Sequence, residues 1–162
     1  MVWVGDWSEA AARQAISKSA EARYDLIELS AIAPEIFNVG LTARLLEEHG
    51  LGCSASLGLG PSTDISSEDP DALKAGRDRL HLALNLVRDC DGSMLCGVIY
   101  GALMKYPAPA TPRGLENSRT VLAELADKAA DSGISLGLEF CSRYETNVIN
   151  TTADTLAPSS SR

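Results

Sequence analysis

The sequence predicts an α/β fold, a layer of parallel strands connected by helices, and three observations carry that prediction. An amphipathic helix, a glycine stop and a short apolar strand recur in that order three times. The recurrence spacing of about 30 to 40 residues leaves room for a crossover helix between parallel neighbours but is far too long for a hairpin turn. Capping residues stand where the helices should begin, so helix and strand boundaries agree with the apolar pattern.

Taken in order, a stub of strand at Val2-Trp3-Val4 precedes a first helix of roughly Ser8 to Arg23, opened by Ser8 before Glu9. The strand Leu26-Ile27-Glu28-Leu29 follows. A second helix ends at Glu48-His49-Gly50-Leu51-Gly52 and runs into the strand Cys53-Ser54-Ala55-Ser56-Leu57. Asp69-Pro70 before Asp71 opens the third helix, because proline in the first turn gives up an N–H that has no partner there. Its core face carries Leu73, Leu80, Leu84 and Val87, and Asp91-Gly92 leads from it into Met94-Leu95-Cys96-Gly97-Val98-Ile99. The fourth helix buries Leu115, Leu122, Leu125 and Ala129, and Asp131-Ser132-Gly133 leads into Ile134-Ser135-Leu136-Gly137-Leu138. Each glycine at a helix end is read as the left-handed residue that other side chains resist.

Composition bounds the function. The 162 residues are 45% hydrophobic and 22% charged, which is ordinary for one globular domain and excludes disorder or collagen. The net charge of −8, with no basic stripe, argues against a nucleic acid partner. No stretch approaches the roughly 20 apolar residues of a membrane span, and no leader pattern stands at the N-terminus, so a cytoplasmic protein without a membrane partner is expected. Cys53, Cys90, Cys96 and Cys141 form no C-x-x-C pair, and with only His49 and His81 beside them they are read as reduced, buried thiols. The triplet Asn150-Thr151-Thr152 carries no weight as a glycosylation site without a secretion signal.

Two architectures fit parallel strands with crossovers. A doubly wound nucleotide-binding sheet wants Gly-x-Gly-x-x-Gly after a strand, but Gly58-Leu59-Gly60 has Thr63 where the third glycine belongs. A (β/α)₈ TIM barrel needs roughly 250 residues, so this length holds about five βα units of one. The fold class expected is therefore a partial (β/α)₈ barrel.

The segment from Ser135 to Asn147 carries the chemistry. Alternation along a strand places Leu136, Leu138 and Phe140 on one face and Ser135, Gly137 and Glu139 on the other. The leucines would meet helices, and Glu139 would point into the barrel at the strand's C-terminal end, where such folds bind ligands. The plain structural alternative is a glutamate paired with Arg143.

Leu138-Glu139, followed after three residues by Arg143-Tyr144-Glu145-Thr146-Asn147, resembles the fifth-strand motif Leu-Glu-Val-Val-Asn-Arg-Tyr-Glu-Thr-Asn of the D-tagatose 3-epimerase and D-psicose (allulose) 3-epimerase family. These are xylose-isomerase-like barrels. Tyr24-Asp25-Leu26-Ile27-Glu28, Ser56-Leu57-Gly58-Leu59, Ile65 to Pro70 and Leu95 to Tyr100 match in family order, and the resemblance runs from Val2 to Ala157.

The resemblance implies a metal-dependent isomerase that epimerises free ketoses at carbon 3. One glutamate removes the C3 proton, a cis-enediolate forms, and a second glutamate reprotonates the other face. Glu139 would be both catalytic and a ligand of a divalent metal, Mn2+, Co2+ or Mg2+. Glu145 would contact the sugar near its carbonyl, Gly58 and Trp7 would line it, and Glu28 would orient its neighbours. Ser142 in place of asparagine and Phe140-Cys141 in place of Val-Val depart from the motif. The family's other ligands, an aspartate, a histidine and the second glutamate, belong to later strands than this sequence contains.

Both ends are therefore read as cut, with residues 1–157 a partial barrel domain and 158–162 a non-native or disordered tail. One coding of Pro158-Ser159-Ser160-Ser161-Arg162, read in another frame, continues a helix as Phe-Ile-Val-Glu, so a frameshift or truncated gene model is expected. The chain alone should bind metal weakly or not at all, lack activity and self-associate through exposed barrel edges. The alternatives are a non-catalytic half-barrel that binds or oligomerises, and a small nucleotide-binding α/β protein.

Overall fold

A computed structural model describes residues 3–156 of the chain; Val2 of the predicted strand stub and the predicted tail at 158–162 lie outside the described residues. The elements are α1 (Glu9–Glu21), β1 (Leu26–Ser30), α2 (Val39–His49), β2 (Gly52–Leu59), α3 (Pro70–Asp89), β3 (Met94–Ala102), α4 (Pro112–Asp131), β4 (Ser135–Leu138) and α5 (Thr152–Leu156). Short 3-10 turns stand at Pro34–Ile36 and Pro61–Thr63.

The helix starts follow the capping chemistry. Ser8 accepts a hydrogen bond from Ala11 N–H, Asn38 from Leu41, Asp69 from Asp71 and Thr111 from Gly114, each giving an otherwise unpaired first-turn donor a partner. The expected glycine stops hold at Gly50 (φ 64°) and Gly133 (φ 68°), but after α3 the left-handed residue is Asp91 (φ 54°). Gly92 is needed there for space instead: a Cβ would lie 2.9 Å from both Cys53 Sγ and Val87 Cγ1.

All strand pairs are parallel and the sheet order is β1-β2-β3-β4. The expected stub departs from this: Trp3 and Val4 join no ladder, and β1 is an edge of the sheet. Register then sorts the side chains. Leu29, Ala55, Leu95 and Leu136 form one row across the four strands, and this face packs under the helices with Leu45, Leu80, Leu84, Val87, Val121 and Leu125. Leu80, at 0% exposure, sits at the centre of that layer, so Leu80→Ala would cost about 2–5 kcal/mol.

The next row, Ser30, Ser56, Cys96 and Gly137, belongs to the opposite face, which no helix covers. Gly97 (φ 119°) and a register shift after Gly58 interrupt the β2–β3 ladder. Any Cβ at Gly97 would collide with the Leu57 carbonyl, so the two backbones approach closely there. The nucleotide-binding alternative finds no support, since Gly58-Leu59-Gly60 runs into a 3-10 turn and α3 begins only at Pro70. Among the described residues no helix is long and apolar enough to cross a membrane.

Candidate functional site

The uncovered face of the sheet carries Ser30, Ser56, Cys96 and Gly137 beside the larger Leu26 and Met94, with Glu28 in the middle of β1 and Glu139 just past β4 as its charged neighbours. Glu28 of β1 accepts a hydrogen bond from Ser56 Oγ at 2.8 Å and lies 3.9 Å from Cys96 Sγ. Burial, followed by the charges of Glu28 and Glu139, pushes the Cys96 thiol above its ordinary pKa, so both carboxylates act on the same sulfur. Glu139 immediately follows β4, is solvent-exposed, and forms no ion pair with Arg143 among the described residues.

The backbone of Glu139 is held from both sides. Its N–H donates to Gly97 O at 3.1 Å, and its carbonyl accepts from Tyr100 OH at 2.8 Å. The same hydroxyl is 3.2 Å from Ile149 O, so one buried phenol ties the end of β4 to the segment before α5. Burial drives the Tyr100 pKa strongly upward, which keeps that donor protonated. Leu136 and Leu138 pack against the core as alternation requires, whereas Phe140 is 54% exposed, because the strand ends at Leu138 and the chain turns away.

Glu145 lies in the turn that follows. Its Oε2 accepts from Ser142 N–H (3.2 Å) and Ser142 Oγ (2.9 Å), so the serine that departs from the family motif is what holds this carboxylate. Its carbonyl accepts from Met104 N–H at 2.7 Å. Neighbouring Leu103 covers Gly58, where a Cβ would come within 3.2 Å of Leu103 Cδ2, so Gly58, Leu103 and the Glu145 turn form one continuous wall. Gly58 has no left-handed backbone, so what its position favours is a small residue under Leu103 rather than conformational freedom.

Trp7 stands apart from that wall. It is 4% exposed, stacks at 5.3 Å on Phe37 and donates its indole N–H to Thr42 Oγ1 at 3.0 Å. It also borders a cleft of about 610 Å³ along β1 that Trp3, Tyr24, Leu26 and Glu28 line. The predicted residues thus fall into two groups, with Glu139 beside Glu28 and Cys96, and Gly58 beside the Glu145 turn, while Trp7 reaches the first group only through the cleft.

The sequence reading missed a second polar cluster. Asp64, buried, accepts from Tyr106 OH (2.6 Å), Ser66 Oγ (2.7 Å), Ser66 N–H (2.8 Å) and Ala102 N–H (3.2 Å). The Asp-x-Ser turn was a visible signal for part of it; Tyr106, distant in sequence, carried none.

A divalent metal needs several converging donors. Among the described residues no group of three His, Cys, Asp or Glu side chains could hold one, and His49 and His81 belong to α2 and α3. One carboxylate with Glu28 and a protonated thiol nearby does not make that donor set, so these residues by themselves do not fit the metal.

The sequence pattern of the xylose isomerase-like TIM barrel matches residues 10–158. The chain belongs to that family. Within it, the chain is 44% identical over 157 residues to a ketose 3-epimerase of Arthrobacter globiformis, covering 97% of this chain and 54% of that protein. To an L-ribulose 3-epimerase of Methylomonas sp. it is 47% identical over 157 residues, covering 97% and 55%. The solved barrel of a Methylomonas sp. D-allulose 3-epimerase in complex with D-allulose superposes with a TM-score of 0.91 at 47% identity, over 96% of this chain and 54% of that one. The chain thus spans about half the length of the relatives it matches, and its four-stranded sheet is part of a xylose isomerase-like barrel.

Proposed function

We propose that this chain carries part of the active site of a ketose 3-epimerase, a soluble cytoplasmic isomerase of free ketoses, with Glu139 as a proton-transfer base. The supporting observation is a carboxylate on a pinned backbone just past β4, beside the uncovered face, in a chain 44% and 47% identical to sugar 3-epimerases. In the reaction, Glu139 takes the proton from C3 of the ketose. The electron pair passes into the C2–C3 bond and onto the C2 oxygen, and an acid on the other face returns a proton to C3 with inverted configuration. Glu145, set by Ser142, would hydrogen-bond the sugar near its carbonyl end, and Gly58 and Trp7 would line it. The opposing acid and a metal's donor set are not among the described residues, so of these steps the described residues would supply the first proton transfer and not the return.

The test joins residues 1–157 to the remaining half of the Methylomonas relative and assays C3 epimerisation of fructose, tagatose and psicose with added manganese. The chimera should turn over at least one ketose, and Glu139→Gln should lower kcat/KM by about 100-fold or more. Unchanged turnover in the variant would remove Glu139 from the mechanism.

A further inference from the structure

We propose that Tyr106, bonded to the buried Asp64, and Asn147 are positioning residues for the ketose: through the segment between β3 and α4 they set where the Glu145 carboxylate stands, and so govern sugar affinity and not proton transfer at Glu139. The proposal deepens the epimerase reading and rests on Glu145 being the residue that meets the sugar.

The hydrogen bonds run without a gap from the interior of the fold to that carboxylate. Asp64, 6% exposed, accepts from Tyr106 OH at 2.6 Å, and the same phenol oxygen accepts from Ala102 N–H at 2.9 Å, four residues back along the chain. The ring thus closes residues 102–106 into a loop fixed to Asp64, and Leu103 N–H ties its start to Leu59 O of β2 (2.7 Å). The other side of the loop holds the turn after β4. Met104 N–H donates to Glu145 O (2.7 Å), Asn147 Nδ2 donates to Ala108 O (2.9 Å), and Lys105 Nζ stands 5.6 Å from the centre of the Tyr144 ring. The backbone of Glu145 therefore follows the loop. Its side chain follows too, since Oε2 is bound to Ser142 N–H and Oγ within the same turn.

Stability alone does not account for Asn147. Its Oδ1 is buried and has no hydrogen-bond partner among the described residues, which costs the fold free energy that an apolar side chain would not. What the asparagine does supply is the bond from the turn to Ala108. Glu139, by contrast, is held by Gly97 O and Tyr100 OH and by none of these contacts. The two carboxylates are positioned by different bonds, so disturbing one should leave the other in place.

Kinetics of the chimera described above test this. Tyr106→Phe and Asn147→Ala should each raise KM for the ketose about tenfold and leave kcat within about twofold, the split that follows when binding is lost and the chemical step is kept. In a Glu145→Ala background either variant should change KM by less than about twofold, because the group they position is gone. A full effect in that background overturns the proposal, since independent contributions multiply; so does a KM that neither variant moves, and so does a loss confined to kcat. Amide exchange on the 162-residue chain gives a reading without catalysis. The Met104 amide should exchange about tenfold or more faster in Tyr106→Phe, and an unchanged Met104 amide overturns the coupling of loop to turn. Should Tyr106→Phe fail to fold, Asn147→Ala carries both kinetic arms. A parent chimera that turns over no ketose sinks the epimerase reading, whereas an active parent whose KM the variants leave unmoved sinks this proposal alone.

Discussion

Tyr100 and Gly97 show how single residues set the site. Tyr100→Phe takes the side-chain donor from the Glu139 carbonyl and leaves the Ile149 carbonyl with Cys141 N–H, and should cost about 1–3 kcal/mol in urea unfolding. Gly97→Ala should cost a similar amount, about 1–3 kcal/mol, because the new Cβ meets the Leu57 carbonyl at a backbone angle of φ 119°. Gly40 is the control: it lies in α2 with nothing within 4 Å of a Cβ, so Gly40→Ala should stabilise by about 0.5 kcal/mol. If all three variants unfolded alike, the site would not depend on these local contacts.

At the scale of elements, the segment from Leu103 to Thr111 between β3 and α4 borders both the Gly58 wall and the Glu145 turn. It is fastened to the 61–66 region through Tyr106 and Asp64. Tyr106→Phe removes the donor to Asp64 Oδ2 and the acceptor of Ala102 N–H. We expect faster amide exchange confined to about residues 102–110 and Ser66, with a stability loss of about 1–3 kcal/mol. Faster exchange throughout the sheet would instead make Tyr106 part of the global core.

For the whole molecule, alkaline pH is the condition that should loosen the fold. Burial raises Cys53 from 9.0 to about 11, Cys90 from 9.0 to about 12 and Tyr106 from 10.0 to about 12. In each case the fold favours the neutral form and the unfolded chain loses its proton first. Their contribution is therefore complete below about pH 9 and is lost as the pH rises toward about 12. Denaturant midpoints measured in reductant from about pH 8 to about pH 11 should fall, and a flat profile would show that these groups are reached by water. On the proposed mechanism residues 1–162 by themselves should also show no appreciable ketose epimerisation, since no opposing acid stands among the described residues; measurable turnover would refute that.

What the sequence determined by itself is what local chemistry controls. Ser8, Asp69 and Gly50 mark helix ends through hydrogen bonds and backbone angles formed within a few residues, and Leu80, Leu84, Val87, Leu125 and Ala129 mark buried faces by period, while Leu115 is only partly buried. The parallel order followed from spacing, and the family motif named Glu139 and Glu145 as candidates. Tertiary structure decided whatever depends on distant partners. Trp3 and Val4 carry β-forming residues yet join no ladder, Asp91 rather than Gly92 takes the left-handed turn, and Phe140 leaves the face that alternation assigned it. The pairing of Glu28 with Ser56, of Asp64 with Tyr106 and of Tyr100 with Glu139 joins residues 28 to 42 positions apart. No local pattern encodes such pairs, because a side chain's partner across a sheet is chosen by register and by the packing of the helices behind it.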